Sequence, residues 1–211
     1  MSNEPTSDKP RQYRQRLRAE KEQQTRERIT RAAVKLHGSV GPARTTVSGV
    51  AAEAGVQRAT VYRHFPDEEA LFAACSAHYW AQHPFPDIAA WSAIRDPAQR
   101  LRQGLADFYA FYEENEAMLE KTSRDAGLVP AMAAPRDAFL GFLDAARGVL
   151  LSGRPERGVA ARRRAEAAVG HALLFPTWQS LIRLQGLGNT EAVAMMAGMV
   201  EAAGAVKVAK K

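Results

Sequence analysis

Apolar residues recur every three or four positions along most of the chain, which is the spacing of one face of an α-helix. Within residues 14–40 the apolar residues Ile29, Ala33, Leu36 and Val40 recur at spacings of four, three and four, and Arg and Glu fill the other faces. Gly41 and Pro42 follow directly, a pair that is typical of a helix end. The pattern therefore predicts a first helix over residues 14–40.

Three further helices are predicted in quick succession. Thr45 or Thr46 can cap a short helix over residues 47–54 that ends at Gly55. The next helix covers residues 57–65 and stops at Pro66, and Asp67 begins a fourth that continues to residue 82.

The remainder also has helical spacing, with helices predicted over residues 96–115, 116–126, 135–151, 156–185 and 190–206. Residues 83–97 contain three prolines and are predicted to be irregular, and the polar segment Met1–Gln12 is predicted to be a disordered arm. We find no period-two strand pattern. The expected fold is all-α with about nine helices, and 46% apolar residues suffice for a buried core.

The segment from Thr45 to Phe65 has the features of a helix-turn-helix. Its two helices need a glycine that can adopt positive φ at the turn, here Gly55, and apolar anchors, here Val50, Val56 and Val61. The residues left facing outward on the second helix can all donate hydrogen bonds to DNA. They are Gln57, Arg58, Thr60, Tyr62, Arg63 and His64.

In a recognition helix the first residues reach base edges and later ones meet phosphates. We therefore expect Gln57 and Arg58 to read bases, since Arg pairs with guanine and Gln with adenine. Phosphate contacts are assigned to Thr45, Thr46, Thr60, Tyr62, His64 and Arg63. The alternative is that this surface is merely the solvated side of a helical bundle.

Positive charge is concentrated at the same end of the chain. Up to Phe65, Lys and Arg outnumber Asp and Glu by 13 to 6, whereas the rest carries one net negative charge. Such a distribution indicates nucleic-acid contact, although a solubilising tail has the same composition. Five residues, Arg11, Arg14, Arg16, Arg18 and Lys21, are candidates for minor-groove or backbone contact, or form a solvated basic helix interrupted by Glu20 and Glu22.

Residues 29–72 resemble the TetR-type repressors. The resemblance rests on Thr45-Thr46-Val47, on Ala51 through Gly55-Val56, and on the run from Thr60 to Phe65. Gln57 stands where the family usually has Ser or Thr, and Glu68 where it has a phosphate-binding lysine, so that contact is not expected here. The resemblance implies a DNA-binding domain at residues 1–66 and a helical ligand-binding and dimerisation domain at residues 67–211.

A ligand pocket is expected in the second domain because aromatic residues occur on several of its predicted helices. The candidate residues are Phe72, His78, Tyr79, Trp80, Phe108, Phe111, Tyr112, Phe139, Phe142, His171, Phe175 and Trp178, with Trp91 and Asp107 as further candidates. The alternative for each aromatic residue is ordinary packing in the core. We expect no cofactor and no metal, since Cys75, His78 and His83 lack a fourth ligand.

A homodimer through the last two helices is expected from the residues near the end of the chain. Val193, Met196, Val200 and Ala203 form one apolar face, and Ala192, Met195 and Met199 form another. The second face is expected to pair with a second copy around Phe175, Leu181 and Ile182. A helix that is buried within one monomer is the alternative.

Other functional classes find little support in the sequence. There is no phosphate-binding glycine loop and no nucleophile elbow, so we expect no enzyme. No apolar run could span a membrane, and a single cysteine suits a reducing compartment, so we expect a cytoplasmic protein.

The expected function is ligand-responsive, sequence-specific binding to double-stranded DNA. The resemblance implies repression of a palindromic operator and release by a small, apolar effector. A helical scaffold with a basic end is the alternative, and a small helical enzyme is a further one.

Overall fold

The computed structural model describes residues 9–205, over which the chain forms ten α-helices and no strand. Two 3-10 turns, Pro42–Arg44 and Pro130–Met132, and a π-helical turn, Ser180–Leu184, connect or extend them. The all-α prediction is confirmed. The helices are α1 Lys9–Ser39, α2 Val47–Ala54, α3 Arg58–His64, α4 Glu68–Gln82, α5 Ile88–Ser92, α6 Pro97–Asp125, α7 Ala133–Leu151, α8 Val159–Ala172, α9 Phe175–Gln179 and α10 Asn189–Ala205.

The start of α1 differs from the prediction of a disordered arm over Met1–Gln12. Residues 9–12 are helical, and the other eight residues of that arm lie outside the described range, as does the predicted last residue of α10. A run rich in Arg, Gln and Glu has good helix propensity, and Pro10 is tolerated because first-turn N–H groups need no helical partner.

Three other predicted boundaries were wrong. The break predicted at Asn115 is absent because this buried side chain donates a hydrogen bond to the carbonyl of Phe111 (2.8 Å) inside the continuous helix α6. The helix predicted over 156–185 is interrupted between Ala172, where α8 ends, and Phe175, where α9 begins, since Pro176 lacks an N–H for the preceding turn. The irregular segment contains α5, capped by the Asp87 carboxylate.

The residues group into two compact units. The first unit contains residues up to Gln82 together with Lys121–Met132, and the second contains His83–Glu120 and Ala133 onward. The predicted boundary at residue 66 separates two functions and not two compact units, and it stays a prediction. The last turn of α6 and the 3-10 turn that follows it thus belong with the amino-terminal helices.

The core of the first unit is small and made mostly of aliphatic residues. Ile29 and Ala33 of α1, Val50 of α2 and Val61 of α3 are each at most 1% exposed, and Phe65 closes the cluster. Helix α1 packs against both α2 and α4. Helix α3 packs in turn on α2.

The second unit has a larger and more aromatic core. Leu101, Leu105 and Phe108 of α6 are fully buried, and α8 packs extensively on α10. Tyr109 donates its hydroxyl to the carbonyl of Ala172 (3.2 Å), which ties α6 to the end of α8. The Trp91 indole donates to the carboxylate of Asp107 (2.6 Å), so these predicted pocket residues bond to each other.

Candidate nucleic-acid interface

The turn between α2 and α3 has the geometry that the sequence predicts. The hydroxyl oxygen of Thr46 accepts the N–H of Gly49 (3.0 Å) and so caps α2. Gly55 ends α2 at φ 64° and ψ 41°, and the N–H of Val56 returns to the carbonyl of Ala51 (3.0 Å). A left-handed residue with this bond redirects the chain within one turn, and α3 begins three residues later.

Apolar contacts hold the two short helices in place. Val50 is 0% exposed and Val61 1% exposed, while Val56 packs on the same cluster and is partly buried. The three predicted anchors therefore face inward. A fourth contact, which the sequence reasoning missed, comes from Arg26: its guanidinium lies 4.1 Å from the centroid of the Phe65 ring.

The outward face of α3 carries most of the predicted base-reading and phosphate-binding side chains. Gln57, Arg58, Tyr62 and Arg63 are exposed, whereas Thr60 is half-buried. Arg58 donates from Nη2 to the hydroxyl of Tyr62 (3.1 Å), and its guanidinium lies 5.5 Å from that ring's centroid. The two side chains thus form an i,i+4 pair that orients the guanidinium on the surface.

The two threonines before α2 differ in their availability. Thr46 is exposed and uses only an acceptor position for its cap, so its hydroxyl hydrogen is free to meet a phosphate. Thr45 donates its hydroxyl to the carbonyl of Gly41 (2.9 Å). A phosphate contact by Thr45 would therefore require that this internal bond be given up.

His64 is placed differently from its neighbours on α3. It is half-buried, and its Nε2 has no hydrogen-bond partner among the described residues. Burial lowers its pKa, and the positive charges of Arg63 and Arg26 lower it further, with Glu22 opposing. A neutral imidazole is a weak phosphate ligand compared with Arg63, so the predicted role of His64 loses its electrostatic basis.

The turn before α2 is held by the last turn of α6, which the sequence did not indicate. The carboxylate of Asp125, 2% exposed, accepts the N–H of Ala43 (3.0 Å), and Arg124 donates to the carbonyl of Val40 (3.3 Å). Hydrogen bonds from Arg124 lower the pKa of Asp125, although burial opposes this. Gly41, at φ 96°, leaves room for both side chains.

The candidate pocket residues in the first unit lie on α4. Phe72 is buried and stacks on His37 of α1, with ring centroids 4.6 Å apart. The rings of Tyr79 and Trp80 are arranged edge to face, with their centroids 4.9 Å apart. His78 is half-buried and lies 2.9 Å from the amide of Gln82. This unit also contains a cavity of about 200 Å³ lined by His37, Phe72, Glu68, Thr46 and Val129, among others.

The candidate residues of the second unit are largely brought together. Phe111, Phe139 and Phe142 surround Phe85, with ring centroids 4.7–5.7 Å away, and contacts continue through Phe108, Tyr112, Phe175 and Trp178. We call these eight residues the aromatic cluster. Phe85 was missed because it lies between two prolines in a segment predicted to be irregular.

His171 does not join the aromatic cluster. Its side chain is exposed, and its ring lies 3.4 Å from the hydroxyl of Thr177. A position on the surface of α8 gives this histidine no contact with the other candidates of its unit. Its predicted role in orienting a ligand therefore has no support in the geometry.

Residues 9–205 contain neither a cluster of metal ligands nor a helix that could span a membrane. In this range no three His, Cys, Asp or Glu side chains are grouped so that they could hold a metal ion. Cys75 is buried, and burial raises the pKa of its thiol to about 12. None of the helices in the described part of the chain has the length and apolar character needed to cross a membrane.

Comparison with known proteins is consistent with this geometry. A sequence model of the bacterial regulatory proteins of the tetR family matches residues 29–75, which include α2 and α3. No curated protein matches the chain. Among solved structures, similarity extends over most of both chains.

Three of these structures are transcriptional regulators by name. HlyIIR, a hemolysin II transcriptional regulator, is 19% identical with a TM-score of 0.59, covering 84% of this chain and 97% of its own. A putative TetR-family regulator from Mesorhizobium loti MAFF303099 is 19% identical with a TM-score of 0.59 and coverages of 86% and 96%. A TetR-like regulator from Rhodococcus sp. RHA1 is 16% identical with a TM-score of 0.59 and coverages of 84% and 93%. At these identities the likeness establishes the fold.

Proposed function

We propose that this chain, which belongs to the TetR family of DNA-binding transcriptional regulators, is a homodimeric repressor that a small apolar effector releases from a palindromic operator. Members of this family are transcription factors and not enzymes. In this proposal residues 1–66 bind DNA, and residues 67–211 bind the effector and dimerise. We propose a cytoplasmic location because the matched family consists of bacterial regulatory proteins, whose DNA lies in that compartment.

The observation that supports operator reading is the surface of α3. Gln57, Arg58 and Tyr62 are exposed on a helix whose inner side is fixed by Val61 and whose start is fixed by Gly55. A short helix that is rigidly held and presents donors at its first turn fits the major groove. Arg58 and Gln57 read bases, and Thr46, Thr60, Tyr62 and Arg63 position the helix on phosphates.

The experiment is selection of bound sequences from random duplex DNA, followed by gel-shift titration with excess nonspecific competitor. The triple variant Q57A/R58A/Y62A should lose at least about a hundredfold in affinity for the selected site, since each well-placed base contact contributes about 1–3 kcal/mol. The control variant R95A/Q99A removes exposed side chains of the second unit. A folded triple variant that still selects the same sequence would refute the proposal.

Dimerisation through α10 is supported by two exposed methionines. Met195 and Met199 are each 48% exposed on α10, while Val193, Met196 and Val200 face the core of the unit. The predicted assignment needs correction in part: Ala192, Phe175 and Leu181 are buried within the protomer and so are not available to a second copy in this conformation.

The dimer test compares two substitutions by glutamate in sedimentation equilibrium. M195E/M199E should shift the protein towards the monomer, because two charges would be buried against a second copy. The control L140E replaces an apolar side chain of α7 that is equally exposed, at 50%, and it should leave the mass unchanged. A dimer that persists in M195E/M199E would place the interface elsewhere.

Effector binding is supported by the aromatic cluster of the second unit. Its half-buried rings, those of Phe85, Phe139 and Phe142, are apolar groups of the kind that line small-molecule sites. Release from DNA requires that the effector bind the non-operator conformation more tightly, since equal affinity for both shifts nothing. The test is a panel of small apolar compounds scored both for a raised melting temperature and for release of the selected duplex. Compounds that stabilise the protein without releasing DNA would contradict this direction of control.

A further inference from the structure

The first half of α1 extends beyond the packed part of the first unit. Every residue from Arg11 to Gln24 is exposed, although the helix continues without a break to Ser39. The match to the family's sequence model begins only at Ile29. The extension therefore has no role in the core, and its surface is open to a partner.

One face of this extension is basic. Arg11, Arg14, Arg18 and Lys21 recur at spacings of three and four, which places them on a single face of the helix. They form no ion pair with any other residue in the described range. We call these four side chains the basic face.

The acidic residues of the extension lie mostly elsewhere. Glu20 is bonded to Arg16 (2.9 Å), and both lie on the side opposite to the basic face. Glu22 lies at the edge of the basic face, where its charge acts on His64. The basic face therefore keeps most of its positive potential.

The basic face is in line with the buried face of the same helix. The same spacing of three and four residues continues after Lys21 with Thr25, Ile29, Ala32 and Leu36. The last three of these residues pack in the core of the unit. A straight helix keeps such a row on one side. The basic face therefore looks towards the side of α1 that packs on α2 and α4 and on the core cluster to which Val61 of α3 belongs.

The extension leaves the unit beside the end of α3. Arg26 donates to the carbonyl of His64 (2.5 Å) and lies over the ring of Phe65. From this anchor back to Arg11 the helix spans about 22 Å, at about 1.5 Å per residue. A helix of that length could contact several phosphates outside the DNA site that α3 is proposed to read.

We propose that the basic face of α1 binds the sugar-phosphate backbone of the DNA that flanks the half-site read by α3. This inference rests on the proposed operator binding. Four unpaired cations at helical spacing complement a phosphate chain, and they add affinity without reading sequence. A membrane surface is disfavoured because the extension has only Tyr13 and Leu17 as large apolar residues and so lacks an apolar face.

The test uses the full chain and a duplex selected by it from random DNA, in two lengths: the minimal site, and the site with about ten flanking base pairs on each side. The variant R11Q/R14Q/R18Q removes three charges with a residue that favours helix. The matched control R95Q/R157Q/R163Q removes three exposed arginines of the second unit that form no ion pair among the described residues.

Wild-type and control proteins should bind the flanked duplex about tenfold or more tightly than the minimal one, and R11Q/R14Q/R18Q should lose this gain. Its plot of log affinity against log salt should be shallower by about 2–3 per protomer, because each released phosphate contact contributes about 0.9. Circular dichroism checks that the helix remains.

The outcomes separate the two proposals. If neither wild-type nor control protein binds the selected duplex against competitor, the proposed function is wrong. If both bind selectively and R11Q/R14Q/R18Q shows the same salt slope and the same gain from flanking DNA, only the inference about α1 is wrong. Loss of binding to anionic phosphatidylglycerol vesicles in that variant, with DNA binding intact, would assign the basic face to a membrane and overturn the proposal.

Discussion

Tyr62 on α3 and Tyr112 on α6 show how differently the two units use one residue type. Tyr62 is 43% exposed and accepts a hydrogen bond from Arg58 on the surface. Tyr112 is fully buried, donates its hydroxyl to the carbonyl of Leu173, and contacts four other aromatic rings of the cluster, those of Phe108, Phe111, Phe175 and Trp178. Burial raises the pKa of Tyr112 far above its usual value, so it stays protonated.

This difference explains why functional residues can be predicted from the sequence in the first unit but not in the second. On α3 the inward position is filled by Val61, so Arg58, Tyr62 and Arg63 remain exposed and available to a partner. In the second unit the same aromatic residues form the packed core and would also form any surface that contacts a ligand. Substitutions that separate stability from binding therefore test the comparison, and we order them by expected effect.

Phe108→Ala should have the largest effect on stability. Phe108 is 0% exposed and contacts Trp91, Tyr112 and Phe142 at ring-centroid distances of 5.6–5.8 Å. Removing a buried phenyl ring lowers the free energy of unfolding by about 3–5 kcal/mol. Urea denaturation measures this, and Phe139→Ala, at the half-buried edge of the cluster, should cost less. Equal losses in the two variants would show that the cluster has no tightly packed centre.

The next prediction concerns pH and His37. Burial lowers the pKa of His37 to about 4, whereas the unfolded chain titrates near 6.5. Between these values the unfolded state binds more protons, so stability is complete above about pH 6.5 and declines as the pH falls towards 4. The contribution is on the order of 3 kcal/mol.

His37→Gln should flatten this part of the stability profile. Urea denaturation at several pH values between 4 and 7 gives the profile for both proteins. The remaining slope should be smaller but not zero, because the pKa of His64 is lowered as well. Parallel profiles for the two proteins would mean that His37 is accessible to water in the folded state.

The helices could be predicted from the sequence wherever local chemistry determines them. Thr46 and Gly55 mark the ends of α2 by a cap and a left-handed turn; Gly55 was predicted, and Thr46 was one of the two predicted caps. Asn115 was mistaken for a helix end because its preference for caps and turns is overridden when its side chain is buried against α6 itself.

The contacts that join distant segments could not be predicted. The bond between Asp125 and Ala43 links positions 82 residues apart, and neither residue belongs to a pattern with the other. The position of His171 depends on the rotation of α8, which is set by packing on α10 and not by its own spacing. Local patterns thus identified the groups that are proposed to contact DNA, whereas the contacts that hold those groups in place could be seen only in the folded structure.

Gly55→Ala tests the turn itself and has a smaller expected effect. Gly55 has φ 64°, and a methyl group there would meet no other atom within 4 Å, so the cost is backbone strain alone. We expect a loss of about 1–2 kcal/mol in the free energy of unfolding. Gly141→Ala is the matched control: it lies exposed within α7 with equal space, and alanine should stabilise the helix by about 0.5–1 kcal/mol. Changes of the same sign would contradict the assigned turn.

Tyr62 gives the smallest expected change in stability and the sharpest test of the comparison. Tyr62→Ala should alter the free energy of unfolding by no more than about 0.5 kcal/mol, because an exposed side chain leaves no cavity. It should nevertheless weaken binding to the selected duplex. Tyr62→Phe keeps the ring but removes the hydroxyl that accepts from Arg58, so its loss of DNA affinity reports how far that bond orients the guanidinium. If Tyr62→Phe binds like wild-type protein while Tyr62→Ala does not, the ring itself, and not the hydrogen bond, positions Arg58 for the groove.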